Sequence, residues 1–424
     1  MITKPKGTYD ILGEDAKKIQ QINNLVDYFC EMYNYEYIRT PIFEVTELFH
    51  RSVGEETDIV TKETYDFIDR SERELTLRPE GTAGVVRSFI ENKMYGDALP
   101  KKFYYNGTMY RYERPQSGRF REFYQIGVEV FGSDSPNIDA EVISIPVNFY
   151  KLIGLKGIKV NINTLGDKES RENYKEALIN HFKPHINNLC SDCQERFLKN
   201  PLRILDCKID ASNEIMKTAP KTIDYLNQVS KDHFTKVKEA LDALDIDYIV
   251  NPGIVRGLDY YTHTVFEVEA DIKGFGSNNV LCGGGRYNGL ISAIGGPEIS
   301  GVGFALGLER LLNAINAEAI ELPINDTVNA YIIPMSEEEQ SYAMGLTQSL
   351  RLNGFTVEMD YMSRKLTNNF KQADKLNSEF IIIIGEEEIK NKTLTIKNNK
   401  TKEEYKIKET EVIDFLDEFI KGDE

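Results

Sequence analysis

The sequence predicts an α+β domain built on an antiparallel sheet, interrupted by a helical insertion and followed by a smaller α/β domain. Three observations predict this. Residues 103–132 alternate apolar and polar side chains twice around a Pro-Gln-Ser-Gly turn, the pattern of a long antiparallel hairpin. From about Gly166 to Asp247 turn residues thin out and helical periodicity takes over, as in Phe234-x-x-Val-x-x-Ala-Leu-x-x-Leu. After Leu322-Pro323, three short apolar runs alternate with helical stretches, and that βαβαβ order requires a parallel sheet with right-handed crossovers. The expected domains are therefore 1–325, with the insertion at about 167–247, and 326–424.

At 424 residues the chain is long enough for two or three sizeable cores, and at 41% hydrophobic and 28% charged it reads as an ordinary globular protein. A net charge of -17 excludes a bulk electrostatic grip on nucleic acid, so any RNA contact has to come from a local patch. The segment MITKPKGTYD has no apolar core of signal-peptide length, and the longest purely apolar run, residues 380–384, is too short to span a bilayer. Five cysteines, an odd number, suit a reducing compartment better than a disulfide framework. The expectation is a cytoplasmic protein with no membrane partner.

In residues 14–33, Ile19, Ile22, Val26, Phe29 and Tyr33 recur at helical spacing and predict an amphipathic helix. The extended stretch 37–43 contains Pro41, which removes a ladder donor, so this strand belongs at an edge or a boundary. At 76–83, Thr-Leu-Arg-Pro-Glu-Gly-Thr-Ala, a short strand ends at Arg78-Pro79 and a helix opens with Glu80, Gly81 and Thr82 in its first turn. An acid there either caps the helix against its dipole or faces a cationic ligand.

The hairpin itself is unusual in charge. From Lys101 to Arg121 there are six basic residues and one acid, Glu113. A charge run is ordinarily a solvated face. Arg111 and Glu113, however, lie two apart and so are expected on one strand face with Met109, which suggests a partner carrying both charge and a hydrogen-bond donor.

The insertion contains His181, His185, Cys190, Cys193 and Cys207, whose HxxxH and CxxC spacings would suit zinc. Pro184 interrupts the helix needed to align the histidines, and the CxxC has no second pair, so these residues are read as unliganded and no metal is assigned. Next, Val255-Arg-Gly-Leu-Asp-Tyr-Tyr-Thr-His-Thr-Val-Phe-Glu runs from a turn into a strand. The Gly-rich Leu281-Cys-Gly-Gly-Gly-Arg-Tyr-Asn-Gly lacks GxGxxG spacing, so its glycines are expected to admit a small ligand close to the backbone. Residues 301–311, Gly-Val-Gly-Phe-Ala-Leu-Gly-Leu-Glu-Arg-Leu, pass from strand to helix and carry Arg310. In the last domain, strands are expected at 330–333, 356–359 and 380–384, with helices near 337–352 and 366–376.

Arg111, Glu113, the Arg-Pro-Gln turn at 114–116 and Phe123 together resemble motif 2 of the class II aminoacyl-tRNA synthetases. The helix, strand and Pro41 resemble motif 1, and the strand-to-helix segment with Arg310 resembles motif 3. Arg-Gly-Leu-Asp-Tyr-Tyr and the Gly-rich run are similar to the two histidine motifs of the histidyl-tRNA synthetase family, and the resemblance covers essentially the whole chain.

The resemblance implies ATP-dependent activation of L-histidine to histidyl-adenylate and transfer to the 3′ end of tRNA(His), with Mg2+ accompanying ATP and no tightly bound cofactor. It implies a homodimer formed through motif 1 and an anticodon-binding carboxyl-terminal domain. Arg256 and Arg111 would be catalytic. Histidine would be bound by Glu80, Gly81, Thr82, Arg111, Gln125, Glu129, Arg256, Tyr260 and Tyr261. ATP would be bound by Arg111, Glu113, Arg119, Phe123 and Arg310, and the tRNA end by Arg114 and Gln116. A non-catalytic histidine-binding regulatory subunit of ATP phosphoribosyltransferase is the alternative from another class. Its usual lack of an anticodon domain contrasts with this chain, which also keeps Arg111, Arg256 and Arg310.

Overall fold

In the computed structural model the two alternating stretches become the strands Lys101–Tyr110 and Glu122–Phe131, paired antiparallel from Lys101 opposite Phe131 to Tyr110 opposite Glu122. The structure describes residues 1–54, 57, 59–114, 119–207, 209–254, 258, 260–275 and 279–421. The Pro-Gln-Ser-Gly turn, with Gln116, lies outside the described residues, as does Arg256. The alternation sorts side chains as a pleated strand must. Tyr104, Ile126, Val128 and Val130 enter the main core on one face; Phe103, Tyr105, Met109 and Phe131 enter a second core on the other.

Glu113 departs from the expectation. The strand ends at Tyr110, and the chain then turns tightly, with the Glu113 N–H donating to the Arg111 carbonyl at 2.8 Å. Arg111 keeps the Met109 face, since its N–H still donates to the Arg121 carbonyl at 2.9 Å and its guanidinium stands over Phe123, the cross-strand partner of Met109. Glu113 lies past the turn, where the i to i+2 bond ends the period-two alternation.

Among the described residues, eight strands run in the order Glu36–Tyr37, Lys101–Tyr110, Glu122–Phe131, Gly301–Gly307, Val280–Arg286, Thr262–Ala270, Ile158–Thr164 and Tyr248–Val250. The two outermost pairings are parallel. Those between them are antiparallel. One face is covered by the helices Gly13–Met32, Pro136–Leu152, Gln228–Ala243 and Leu308–Ala317, which bury Ile22, Val26, Phe29, Val142, Phe234 and Leu311 against it. Each such side chain stabilises the fold by roughly 1.5–3 kcal/mol. The opposite face carries the helix Thr82–Glu91, through Val85, Val86 and Phe89, together with a group of tyrosines and carboxylates. Polar chemistry is thus held on one side of a sheet whose other side supplies the cohesion.

The stretch around Pro41 splits, as a residue without a ladder donor demands. Glu36–Tyr37 ends at the edge of the large sheet, and Phe43–Val45 forms an edge of a three-stranded sheet with Glu74–Leu77 and Tyr65–Ile68. Buried Arg78 joins these parts by donating to the carbonyls of Thr108 at 2.8 Å and Thr40 at 3.1 Å. Between Ile158–Thr164 and Tyr248–Val250 the chain forms the helices Lys168–Phe182, Ser191–Lys199, Glu214–Lys217 and Gln228–Ala243. Part of this insertion has its own small core of Tyr174, Leu178, Phe182, Leu189, Cys193, Ile204 and Cys207.

The residues fall into two compact units, Met1–Leu322 and Pro323–Glu424. In the second, Val357–Met359, Val328–Pro334 and Ser378–Ile384 are parallel neighbours, with Gln340–Leu352 and Leu366–Lys375 as the intervening helices. The sheet continues into an antiparallel hairpin, Thr393–Asn398 and Glu404–Lys408, absent from the βαβαβ reading. Its strands, Thr-Leu-Thr-Ile-Lys-Asn and Glu-Tyr-Lys-Ile-Lys, do alternate, but each is short and offers only two apolar residues.

Candidate active site

Glu129 is the centre of the polar face. It sits in the middle strand of three, opposite Phe103 on one side and Gly303 on the other. A side chain at Gly303 would collide with the Glu129 carboxylate and the Val128 carbonyl, so the glycine is what allows an acid here. Glu129 is 1% exposed, and three hydroxyls converge on it. Thr82 donates to Oε1 at 2.7 Å, Tyr105 donates to Oε1 at 3.4 Å, and Tyr287 donates to Oε2. Burial pushes the Glu129 carboxyl up to about 8, Thr82 and Tyr287 oppose the rise by hydrogen bonding, and the Glu80 charge adds to it. An acid held near neutrality by burial is suited to exchanging a proton with an imidazole.

Glu80 lies beside this pocket, buried, and its two oxygens accept from the backbone N–H groups of Thr82 at 2.6 Å and Ala83 at 2.8 Å. Glu80 therefore caps the helix Thr82–Glu91. Each carboxylate oxygen has a second lone pair, so capping leaves acceptor capacity for a ligand. Burial raises the Glu80 carboxyl, while the capping bonds and the Arg111 charge pull it down. Gly81 packs flat under the Tyr105 ring, where any side chain would collide. Gln125 shares the Glu129 face by alternation, and its buried Oε1 has no hydrogen-bond partner among the described residues.

Tyr260 and Tyr261 lie just before the strand Thr262–Ala270, three places along the sheet from the Glu129 strand; their rings are 4.7 Å apart, and Tyr260 lies edge-on to Tyr287 at 5.6 Å. Burial first, then Tyr261, Glu80 and Glu129, holds the Tyr260 hydroxyl well above its ordinary range. A shift of register between Gly285 and Arg286, with His263 at φ 43°, forms a bulge just past Tyr261. Bulges re-aim side chains and are common beside functional sites. Arg171 of the insertion donates to the Tyr261 carbonyl at 3.1 Å and ties that strand end to the inserted helix.

The glycines of the Gly-rich run are needed for strand packing. A side chain at Gly284 would strike the backbone of Gly303 and Phe304, and one at Gly285 the Thr264 carbonyl. They admit the neighbouring strands, and Gly285 also lies against the Tyr261 ring. Arg286, 0% exposed, donates through Nε and Nη2 to Asp139 and through Nη1 to the Ser133 carbonyl at 2.8 Å, which anchors the strand end that presents Tyr287.

A cationic group occupies the hairpin end. Arg111 donates to the Pro79 carbonyl at 2.9 Å, lies 3.8 Å from Glu113, and stands 5.3 Å above the Phe123 ring. Arg119 also reaches Glu113, at 3.4 Å, and Arg114 is exposed. Arg310 donates to the Val280 carbonyl at 2.7 Å. Burial and Arg119 push its guanidinium down, and Glu113 and Glu267 oppose this. The structure thus brings Glu80, Thr82, Glu129, Tyr260 and Tyr261 together around one pocket, and Arg111, Glu113, Arg119 and Arg310 around a second centre. Sequence reasoning missed Tyr105 and Tyr287. Tyr105 was accessible from the alternation that places it with Met109, and Tyr287 from its place after the Gly-rich run.

The histidines and cysteines of the insertion separate. His181 bonds the Ile215 carbonyl at 2.9 Å, and His185 is exposed. Cys190, Cys193 and Cys207 gather instead around Asp210.

Residues 7–311 match the family model described as histidyl-tRNA synthetase, and residues 329–419 match an anticodon binding domain. The chain belongs to the histidyl-tRNA synthetase family. It is 52% identical to the histidine–tRNA ligase of Anoxybacillus flavithermus over 95% of this chain and 96% of that one. Among solved structures, the apo histidyl-tRNA synthetase of S. aureus is similar at 44% identity and a TM-score of 0.85, covering 98% of this chain and 100% of the other. A Bacillus halodurans protein described as an ATP phosphoribosyltransferase regulatory subunit/histidyl-tRNA synthetase shares the fold at 23% identity and a TM-score of 0.63, covering 90% of this chain and 98% of that one. The class II architecture of the first unit and the separate anticodon-binding domain are those of the family.

Proposed function

We propose that this chain is a histidine–tRNA ligase that activates L-histidine with ATP and transfers it to the 3′ end of tRNA(His), and that Glu129 selects the amino acid. The observation that carries this reading is a fully buried carboxyl, ringed by the hydroxyls of Thr82, Tyr105 and Tyr287, in the catalytic unit of a histidyl-tRNA synthetase chain. An imidazole needs an acceptor for its N–H and a partner at its other nitrogen. Glu129 serves the first and Tyr261 the second. Glu80, Thr82 and the Gln125 carbonyl take the α-ammonium, and Gly81 brings the helix backbone close.

In the first half-reaction a histidine carboxylate oxygen bonds to the α-phosphorus, and the bond to the bridging oxygen breaks as pyrophosphate leaves with its electron pair. Positioning and fixed cations dominate such a step. Arg111 holds the carboxylate and α-phosphate, and Phe123 stacks on the adenine whose amino group Glu113 accepts. Arg119 and Arg310 meet the outer phosphates. At an effective dielectric of 20, a unit charge about 4 Å from another contributes roughly 4 kcal/mol. Arg256, from the first histidine motif, supplies a further cation at the α-phosphate. Magnesium would enter as MgATP, and Glu267, whose charge acts on Arg310, is a hard oxygen donor of the kind it prefers. In the second half-reaction the terminal ribose hydroxyl oxygen bonds to the acyl carbon, the acyl carbon–phosphate oxygen bond breaks, and AMP leaves with that electron pair, its phosphate taking up the hydroxyl proton. Arg114 and Gln116 hold that end of the tRNA.

The chain acts as a homodimer in this reading. Ile42, Phe43, Val45, Phe67 and Ile68 are all exposed apolar residues at the edge formed by the motif 1 strand and its neighbours, the kind of patch a partner covers. A cytoplasmic setting is supported by Cys30, Cys190, Cys193 and Cys207, which form no disulfide. Among the described residues no helix is long and apolar enough to cross a membrane.

The test is pyrophosphate exchange with histidine, threonine, proline and glycine in parallel. Exchange dependent on histidine alone supports the reading. Histidine binding without exchange would favour the regulatory-subunit alternative, for which the only support here is a likeness in fold at 23% identity.

A further inference from the structure

We propose that the helical insertion holds a structural zinc ion between Cys190, Cys193, Cys207 and Asp210. The ligand atoms of these four residues all lie within 4.8 Å of one another. Two of these separations can be set against a tetrahedral zinc site. With Zn–S near 2.3 Å, two thiolates on a tetrahedral centre stand about 3.8 Å apart, and a thiolate and a carboxylate oxygen about 3.5 Å apart. The Cys190 and Cys207 sulfurs are separated by 3.6 Å, and Cys207 Sγ and Asp210 Oδ2 by 3.5 Å. A disulfide would require about 2.05 Å.

The local backbone supports the same reading. Cys190 immediately precedes the helix Ser191–Lys199 and Cys193 lies in its first turn, so one helix start presents both sulfurs to the same side. Cys207 follows the 3₁₀ turn Pro201–Asp206 and accepts from the Asp210 N–H at 3.3 Å, so a backbone donor faces a sulfur. Asp210 Oδ2 in turn accepts from the Cys190 N–H at 3.0 Å, which fixes the carboxylate toward the sulfurs.

The spacing, Cys190-x-x-Cys193 and Cys207-x-x-Asp210, is that of paired zinc knuckles with the last ligand changed from Cys to Asp. That change is why the CxxC looks unmatched in the sequence. A set of thiolates with one carboxylate selects zinc over magnesium or calcium, which take oxygen ligands. The surrounding core is small and its helices short, the situation in which a metal staple commonly supplements apolar burial. The ion closes the chain between the helix Ser191–Lys199 and the turn after Cys207.

The experiment uses the untagged full-length chain, dialysed in metal-free buffer. Elemental analysis is expected to return roughly one zinc per chain. Cobalt exchanged for zinc should give a thiolate charge-transfer band and the intense visible bands of a tetrahedral site. Cys207→Ser and Asp210→Ala should each weaken retention against a competing chelator at least 10-fold, whereas His181→Ala and His185→Ala should leave it unchanged. Chelation should raise hydrogen exchange in Ser191–Lys199 and leave Lys101–Tyr110 protected. A folded wild-type chain with less than about 0.1 zinc and no cobalt spectrum overturns the proposal. So does a cobalt spectrum that survives Cys207→Ser, or a native disulfide between Cys190 and Cys207. If the variants fail to fold, the wild-type cobalt spectrum decides.

Discussion

Thr82 Oγ1 donates to Glu129 Oε1 at 2.7 Å, joining the first turn of the helix Thr82–Glu91 to the return strand of the hairpin, 47 residues away in sequence. Glu80, which caps that helix, and Glu129 are therefore held in one buried pocket, and the Glu80 charge raises the Glu129 carboxyl. Two acids kept this close are costly unless a cation shares the site. Histidine, with an ammonium and an imidazole that can carry a proton, is such a cation.

Glu129→Gln removes the group that accepts from or exchanges a proton with the imidazole. A hydrogen bond to a charged group is worth about 1.5–3 kcal/mol, so the KM for histidine should rise roughly 10- to 200-fold. The KM for ATP should change little. A variant altered in ATP binding but unchanged for histidine would remove Glu129 from the specificity pocket.

The dependence of histidine binding on pH follows from two values. Free imidazole titrates near 6.5, and Glu129 is pushed up to about 8. Between them the pair holds a single proton. Below the window free histidine and Glu129 each carry a proton, and one must be released; above it both have lost theirs, and one must be gained. The KM for histidine is expected to be lowest between the two values, and Glu129→Gln should abolish the rise on the alkaline side. For stability the sign is that of a raised pKa: the folded state binds the proton more tightly, so the contribution is full below the unfolded value of about 4.5 and lost as pH rises through about 8. Thermal melts of wild type and Glu129→Gln across that range should diverge in that direction.

Tyr287→Phe deletes one donor to Glu129 and leaves the ring. Because the Tyr287 hydrogen bond lowers the Glu129 pKa, its loss should move the alkaline limb to still higher pH, with about a fivefold rise in histidine KM for roughly 1 kcal/mol. Tyr261→Phe should raise the KM mildly without moving that limb. An identical pH profile in wild type and Tyr287→Phe would separate this hydroxyl from the Glu129 titration.

Arg286→Ala leaves Asp139 buried without its ion-pair partner. Asp139 and Arg286 are 1% and 0% exposed, and breaking such a pair costs about 3–5 kcal/mol. Denaturant unfolding of the first unit should report that loss. His233 Nε2 also contacts this carboxylate, at 3.5 Å, but it offers one ring nitrogen where the guanidinium donates through both Nε and Nη2. A stability change under about 1 kcal/mol would show that the pair contributes little.

Arg256→Lys tests planarity at the α-phosphate. A guanidinium can bridge two oxygens and an ammonium cannot. Both Arg256→Lys and Arg256→Ala are expected to lose most of the activation rate with normal folding, measured by pyrophosphate exchange. A lysine variant near the wild-type rate would reassign the residue.

Sequence alone determined the hairpin, the helix of residues 14–33, the break at Pro41 and the parallel core of the second unit. Each rests on local periodicity or on the chemistry of one residue: Tyr104, Ile126 and Val128 face the core because a strand alternates, and Pro41 ends pairing because it has no N–H. The resemblance to the histidyl-tRNA synthetase motifs is what pointed to the pocket's Glu80, Thr82, Glu129 and Tyr261. Only the tertiary structure decided what these side chains touch. Glu129 binds three hydroxyls from three separate segments, and Gly303 has no side chain because that acid lies against it. Asp210 completes the cysteine cluster by contact, although no cysteine spacing includes it. The Gly284 and Gly285 backbones are crowded by neighbouring strands. Periodicity is set by the covalent geometry of the chain and can be read along it, whereas burial, and with it the raised carboxyl of Glu129, depends on segments that meet only when the sheet closes.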